Sequence, residues 1–176
     1  MISLWNQAIA RGLRRDGVLL AVSSRQQALV LWQRGRVRAR YAVSTSRQGL
    51  GCRTGSLKTP VGWHRILRWI GRGKPVGTIF KSRRALKRVA PESEWRSEHG
   101  PEYILTRILR LQGLEKGLNL GPGVDSYRRF IYIHGTNQEH LLGQPASHGC
   151  IRMANRDLVR LFRRTAGRST WCWIGP

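Results

Sequence analysis

The sequence predicts a mainly β protein with short helices: a single domain of short strands, closed by one C-terminal amphipathic helix. Three observations carry this. Short apolar runs recur along the chain, separated by glycine-rich and polar turns. Only one stretch, after Asn155, has a strong helical apolar period. At 176 residues the chain is long enough for one well-buried core and short for two.

The elements follow in order. Ser3 can cap a short helix reaching about Gly12, and residues 1–14 read as a helical extension before a domain over 15–176. Val18–Val22 and Ala28–Trp32 read as strands joined by a polar turn, and Gly35 leads into a basic strand over 36–43, so an antiparallel meander is expected. In that third strand, alternation puts Arg36, Arg38 and Arg40 on one face and Val37, Ala39 and Tyr41 on the other. Residues 45–58 are polar and glycine-rich, a loop. Thr59-Pro60-Val61-Gly62 turns the chain into a strand from Trp63 to Ile70, and Val76–Phe80 is another strand. Residues 83–101 are charged and irregular, with a helical turn near Glu92. Tyr103–Leu111 is a strand, 112–128 a loop, and Phe130–Ile133 a short buried strand ending at His134. The helix runs from Asn155, read as its cap, to about Ala166. Leu158, Leu161 and Phe162 form its stripe, Arg163 and Arg164 complement its negative end, and Gly167 stops it. Ser169–Ile174 is the last strand.

Composition narrows the function classes. No apolar run reaches the roughly 18 residues of a transmembrane helix. The first ten residues make a poor export signal: they lack early Lys or Arg, and Asn6-Gln7 interrupt the apolar run. A cytoplasmic location is therefore expected, with the periplasm as the alternative. Three cysteines do not make a disulfide framework; if one works as a free thiol, only Cys52 and Cys172 could pair, and Cys172 reads better as a small buried apolar side chain. The formal net charge of +23, mostly arginine, favours anionic partners or simply a solvated surface. No nucleic-acid-binding motif accompanies it, so no specific nucleic-acid function is expected. The glycines at 49, 51 and 55 and the Gly73-Lys74 pair fail the spacing of phosphate-binding loops.

The chemistry concentrates in Ile133-His134-Gly135-Thr136 and Ser147-His148-Gly149-Cys150-Ile151-Arg152. A thiol is mostly protonated at neutral pH, and the thiolate is the nucleophile. An imidazole in reach can take that proton and later return it to a leaving amine. His134, at a strand end, suits this role. Gly135 lets the chain leave the strand, and the polar segment up to Ser147 can loop out and return Cys150 beside His134. Alternation places Phe130, Tyr132 and His134 on one face and Ile131 and Ile133 on the other. Gly149 clears space beside the thiol and leaves backbone N–H groups for an oxyanion. Structural zinc sites need paired ligand spacings that are absent, so neither a metal nor another cofactor is expected. His64 and His140 read as core and surface residues.

This ensemble resembles the signature of the YkuD-type L,D-transpeptidases: a His-Gly, a variable loop, then Ser/Thr-His-Gly-Cys-apolar-Arg/Asn. Thr59-Pro60-Val61-Gly62-Trp63-His64-Arg65-Ile66 is similar to the family's Thr-Pro-x-Gly segment, with His64 in place of an aromatic. Ile104–Leu109 and Gly113-Leu114-Glu115 resemble its short, signal-less members. The resemblance spans about Val18 to Ile174 and implies a sandwich or barrel fold. It implies Cys150 as nucleophile, His134 as base, and the Gly135 carbonyl as the group orienting His134. His148, with Ser147 and Tyr132 nearby, would line the substrate pocket. Arg152 would brace the site or bind a substrate carboxylate, and amides around Gly149 would form the oxyanion hole. The implied substrate is the peptidoglycan stem tetrapeptide or a muropeptide, cut at the L-centre of the third residue with loss of D-Ala. Carbapenem-type β-lactams would be covalent inhibitors. With no export signal, an L,D-carboxypeptidase in muropeptide recycling is the expected reaction. A 3→3 transpeptidase is the alternative, and a catalytically dead wall-anchoring module is the non-enzymatic one.

Overall fold

The expected meander forms, and it is the start of a sheet that closes on itself. The computed structural model describes residues 3–99 and 101–176. Helix α1 (Leu4–Ala10) is capped by Ser3, whose Oγ accepts the Asn6 N–H at 3.3 Å. Strands β1 (Val18–Ser23), β2 (Ala28–Gln33) and β3 (Arg36–Ser44) pair antiparallel in sequence. A bulge between β2 and β3 corrects the predicted alternation. Leu31 pairs with Ala39 but Trp32 with Val37, so the face switches at Arg38. Val37 therefore shares the outer face with Arg40 and Trp32 and is 52% exposed.

The remaining strands are β4 (Gly62–Ile70), β5 (Thr78–Lys81), β6 (Arg84–Val89), β7 (Ile104–Gly113), β8 (Tyr132–Thr136), β9 (Ile151–Met153) and, after helix α2 (Asn155–Thr165), β10 (Thr170–Gly175). The sheet order is β4-β10-β1-β2-β3-β9-β8-β7-β5-β6, and β4 also pairs with β7. That last pairing shuts eight strands into a barrel, from which the β5–β6 hairpin projects. Closure removes the open edges that an eight-stranded sheet would otherwise present. Strand β6 falls in the stretch expected to be irregular. All six of its residues are exposed, so no buried face imposed an apolar alternation that would have marked it.

The largest core cluster joins the inward residues of the barrel to α2: Leu20, Leu31, Val43, Leu109, Ile133, Ile151, Leu158 and Leu161 are all completely buried. Helix α1 covers a second cluster, where Trp5 and Ala8 pack with Leu19 and Trp63 outside β1 and β4. The cap of α2 differs from the prediction. Ala154 occupies the N-cap, and Asn155 is the first helical residue. The Asn155 side chain is drawn inward to other partners, and the Glu139 carboxylate accepts the Asn155 backbone N–H at 2.7 Å in its place. All three cysteines are free, so Cys52 and Cys172 do not pair. Among the described residues, no helix is long and apolar enough to cross a membrane.

Leu158 is the central tooth of the α2 stripe and is fully buried in the barrel core. Leu158→Ala is expected to cost about 2–5 kcal/mol in urea unfolding. A loss below about 1 kcal/mol would mean that α2 is not anchored as described.

Candidate active site

The short parallel pairing of β8 with β9 assembles the site. Its register sets Ile133 beside Ile151, His134 beside Arg152 and Gly135 beside Met153. Ile133 and Ile151 seal the core, which fixes the pairing, because a one-residue slip would turn both outward. Cys150 immediately precedes β9. Its sulfur thus lies beside the Tyr132–His134 stretch and lines a cavity of about 230 Å³ with His134, His148, Glu102 and Ile104. Parallel strands need a crossover. Residues 137–150 supply it, pinned by a bridge between Ser46 and Ser147.

His134 is buried, and its Nδ1 lies 2.8 Å from the Gly135 carbonyl oxygen. A carbonyl only accepts, so Nδ1 carries the proton and Nε2 keeps its lone pair. Burial lowers the His134 pKa below 6.5; the Gly135 carbonyl and Glu102 oppose this, while Arg152 adds to it. Burial also pushes the Cys150 thiol from 9.0 up to about 11, against the Tyr132 backbone amide, Arg152 and Arg129, with Glu102 pushing it further up. At rest the thiol is protonated and donates to the Phe130 carbonyl at 3.5 Å. The pair is therefore neutral thiol with neutral imidazole, and the proton must move as the sulfur attacks.

Gly135 serves a purpose other than the predicted exit from the strand. It lies inside β8, and a Cβ there would sit 2.2 Å from Asn155 Oδ1 and 2.8 Å from the Leu105 carbonyl. Asn155 is the hub behind the site. Its Nδ2 donates to the Thr136 carbonyl at 2.8 Å and to Glu139 at 2.7 Å, and its Oδ1 accepts the Thr106 hydroxyl at 2.6 Å. Thr106 holds φ +72°, a strained value for a β-branched residue. The bond to Asn155 and one from the Gly77 N–H at 3.0 Å hold its hydroxyl in place.

Ser147 and Gly149 also differ from expectation. The Gly149 N–H donates to Ser147 Oγ at 3.2 Å, and that hydroxyl donates to the Cys150 carbonyl at 2.6 Å. The Gly149 amide is thus engaged within the turn. Its φ of +125° is what requires glycine. Tyr132 is buried against Phe80 and Ile108, and meets the thiol through its backbone amide. Phe130 lies outside β8 with φ +57° and 50% exposure, so it is not part of a buried strand. Tyr132 and His134 do share a face opposite Ile131 and Ile133, which belong to the main core.

A polar chain crosses the cavity mouth. Arg47 lies 2.7 Å from His148 Nε2, where the guanidinium donates, and His148 Nδ1 faces Glu102 at 3.2 Å. Glu102 also pairs with Arg152, whose other nitrogen donates to Gln138 at 2.9 Å. At 1% exposure, Arg152 offers almost no surface to a substrate carboxylate. His64 lies away from this site in the interior, bonded to Ser126 at 3.0 Å, and burial takes its pKa down to about 4. Glu102 and Arg47 escape the sequence reading, and Asn155 enters it only as a helix cap. The only signal for Glu102 is the scarcity of acidic residues, nine against 32 basic ones, which it shares with the other eight. Among the described residues, no group of three or more His, Cys, Asp or Glu is placed to hold a metal ion.

Comparison with known proteins places this geometry. The YkuD family profile, described as the L,D-transpeptidase catalytic domain, matches residues 16–172. The chain belongs to the YkuD family. Bacillus subtilis YqjB, provisionally described as an L,D-transpeptidase, is 51% identical over 35 residues, which is 20% of each chain. Among solved structures, L,D-transpeptidase 3 from Mycobacterium tuberculosis is 14% identical, covering 91% of this chain and 61% of its own, with a TM-score of 0.56. LdtMt1, solved in complex with imipenem, is 13% identical over 91% of this chain and 59% of its own, with a TM-score of 0.53. These structural likenesses speak to the fold. The chain spans about three fifths of those solved chains and one fifth of YqjB.

A neutral resting pair makes Cys150 a slow target for simple alkylation. Iodoacetamide at pH 7 should modify it about tenfold more slowly than an ordinary thiol, followed by peptide mapping. Glu102→Gln should speed this labelling, because the carboxylate raises the thiol pKa. Labelling as fast as free cysteine would mean that burial does not raise the thiol pKa, and faster labelling would mean a resting thiolate.

Proposed function

We propose that this protein performs cysteine acyl transfer on the L,D bond of peptidoglycan stem tetrapeptides, with water as the favoured acceptor: an L,D-carboxypeptidase reaction. The observation that carries this reading is the single cavity lined by Cys150 Sγ and by His134, whose Nε2 is left as an acceptor. Sγ attacks the carbonyl of the third residue's L-centre as Nε2 takes the thiol proton. The C–N bond to D-Ala then breaks, and His134 returns the proton to the leaving amine. Water, deprotonated by the same nitrogen, hydrolyses the thioester and restores the thiol. With the Gly149 amide engaged by Ser147, the amides of His148 and Cys150 are the candidate oxyanion donors. The Gly135 carbonyl holds the His134 tautomer. Arg152 acts through Glu102, which in turn positions His148.

Water needs no binding subsite of its own, and the cavity is lined only by Glu102, Ile104, His134, His148 and Cys150. A second reading, transfer to an amine, draws on Glu102, an acidic group at the cavity that would attract an ammonium acceptor. Incubation with a disaccharide-tetrapeptide separates the two by mass. Tripeptide plus D-Ala supports hydrolysis, and 3→3 dimers or exchanged D-amino acids support transfer.

Cys150→Ala should abolish turnover and any imipenem adduct, read by intact-protein mass spectrometry. His134→Ala should lower kcat/KM by roughly 10²–10⁴-fold. Because burial holds the His134 pKa below 6.5, kcat/KM should persist at pH 6.5 and fall only at more acidic pH, as the imidazole charges and can no longer accept a proton. A midpoint above 6.5 would contradict the neutral pair.

A further inference from the structure

Arg107 is buried without an acid to pair with. On β7 it is only 8% exposed, yet among the described residues it forms no ion pair. One of its nitrogens donates to the Thr106 carbonyl, and its guanidinium carbon stands 5.6 Å from the centre of the Phe162 ring. Its other nitrogens are not sealed in the protein; they open on a cleft of about 550 Å³. The β4–β5 turn brings Arg72 and Lys74 to this cleft, and α2 brings Arg163. Val76 and Phe162 give it apolar lining, and no acidic residue lines it. The turn is built tightly against the arginine stem: a Cβ on Gly71 would meet Phe80 at 2.8 Å and Arg107 Cδ at 3.2 Å.

Burying an arginine without a counter-charge is costly, and Arg163 beside it adds like-charge repulsion. The carbonyl end of α2 offsets only about half a charge, against four full positive ones. An anion would relieve the imbalance. The arginines of β3 differ, because Arg36, Arg38 and Arg40 are all exposed to water. We propose that this cleft is a binding site for a phosphate-bearing anion, seated on the Arg107 fork with Arg72, Lys74 and Arg163 around it. Planar guanidinium groups match phosphate oxygens two at a time, and several cations suit a polyvalent ligand. The Val76 and Phe162 side chains admit an apolar part of the same molecule. The site contains neither Cys150 nor His134 and stands apart from the proposed reaction.

The test is calorimetric titration of the full chain with pyrophosphate. Arg72→Gln with Arg163→Gln is the test pair, and both residues are exposed. Arg36→Gln with Arg38→Gln on β3 removes the same charge elsewhere. One saturable site is expected, weakened about tenfold or more by the first pair and little by the second. A second arm measures cosedimentation with phosphatidylglycerol vesicles. Binding that the first pair alone removes identifies a lipid headgroup as the phosphate source; its absence, beside saturable pyrophosphate binding, identifies a soluble ligand. No saturable pyrophosphate binding, or equal weakening by both pairs, overturns the proposal in favour of the diffuse field of the +23 chain.

Discussion

The site depends on a parallel pairing only three residues long. Ile133 against Ile151 fixes where His134 lies relative to Cys150, and both isoleucines are fixed by the core beneath them. Hydrophobic burial, itself non-directional, thus sets a functional distance through strand register. The pleat turns His134 away from the core while its neighbours face inward. Because β8 is bonded on its other side to β7, the imbalance of core and cavity faces is held from both edges. A rigid sheet, with the reactive sulfur just before a strand, needs little further ordering when a substrate arrives.

Behind the sheet, one small residue and one amide do most of the positioning. Gly135 exists to let Asn155 approach the strand, and Asn155 ties β7, β8 and the start of α2 together. The strained Thr106 is the β7 end of that tie. In front, burial lowers the His134 pKa and raises that of Cys150, so both reacting groups favour their neutral forms. An exposed thiolate would react with any electrophile. A protonated thiol beside a prepared imidazole reacts where a substrate supplies the missing stabilisation.

Charge enters the architecture in two ways. Most arginines are solvated on outer faces and ask nothing of the fold. Three of them, Arg152, Arg110 and Arg107, are buried and have to be accommodated. Arg152 is met by Glu102 and Gln138, and Arg110 lies over the Tyr127 ring, 3.4 Å from its centre. Arg110 and Arg107 each have only a carbonyl and aromatic rings; Arg107 differs in opening on a cleft that three further cations line.

The sequence alone determined the fold class, eight of the ten strands, helix α2 and the Cys150–His134 neighbourhood, because each left a local mark: an apolar period, a turn residue, or chemistry-bearing types in a fixed spacing. It missed β6, whose residues are all exposed and so carry no buried alternation, and β9, whose three residues are too few to show a period. It misplaced Val37, because a bulge shifts the faces without changing composition. It mistook Asn155 for a cap and Gly135 for a hinge, since both readings use local rules, while the residues answer to each other across the fold. Only the tertiary structure decided that Glu102 meets Arg152, that the Gly149 amide is engaged, and that His134 is buried with Nδ1 on the Gly135 carbonyl. Those are matters of burial and long-range proximity, which no spacing along the chain encodes.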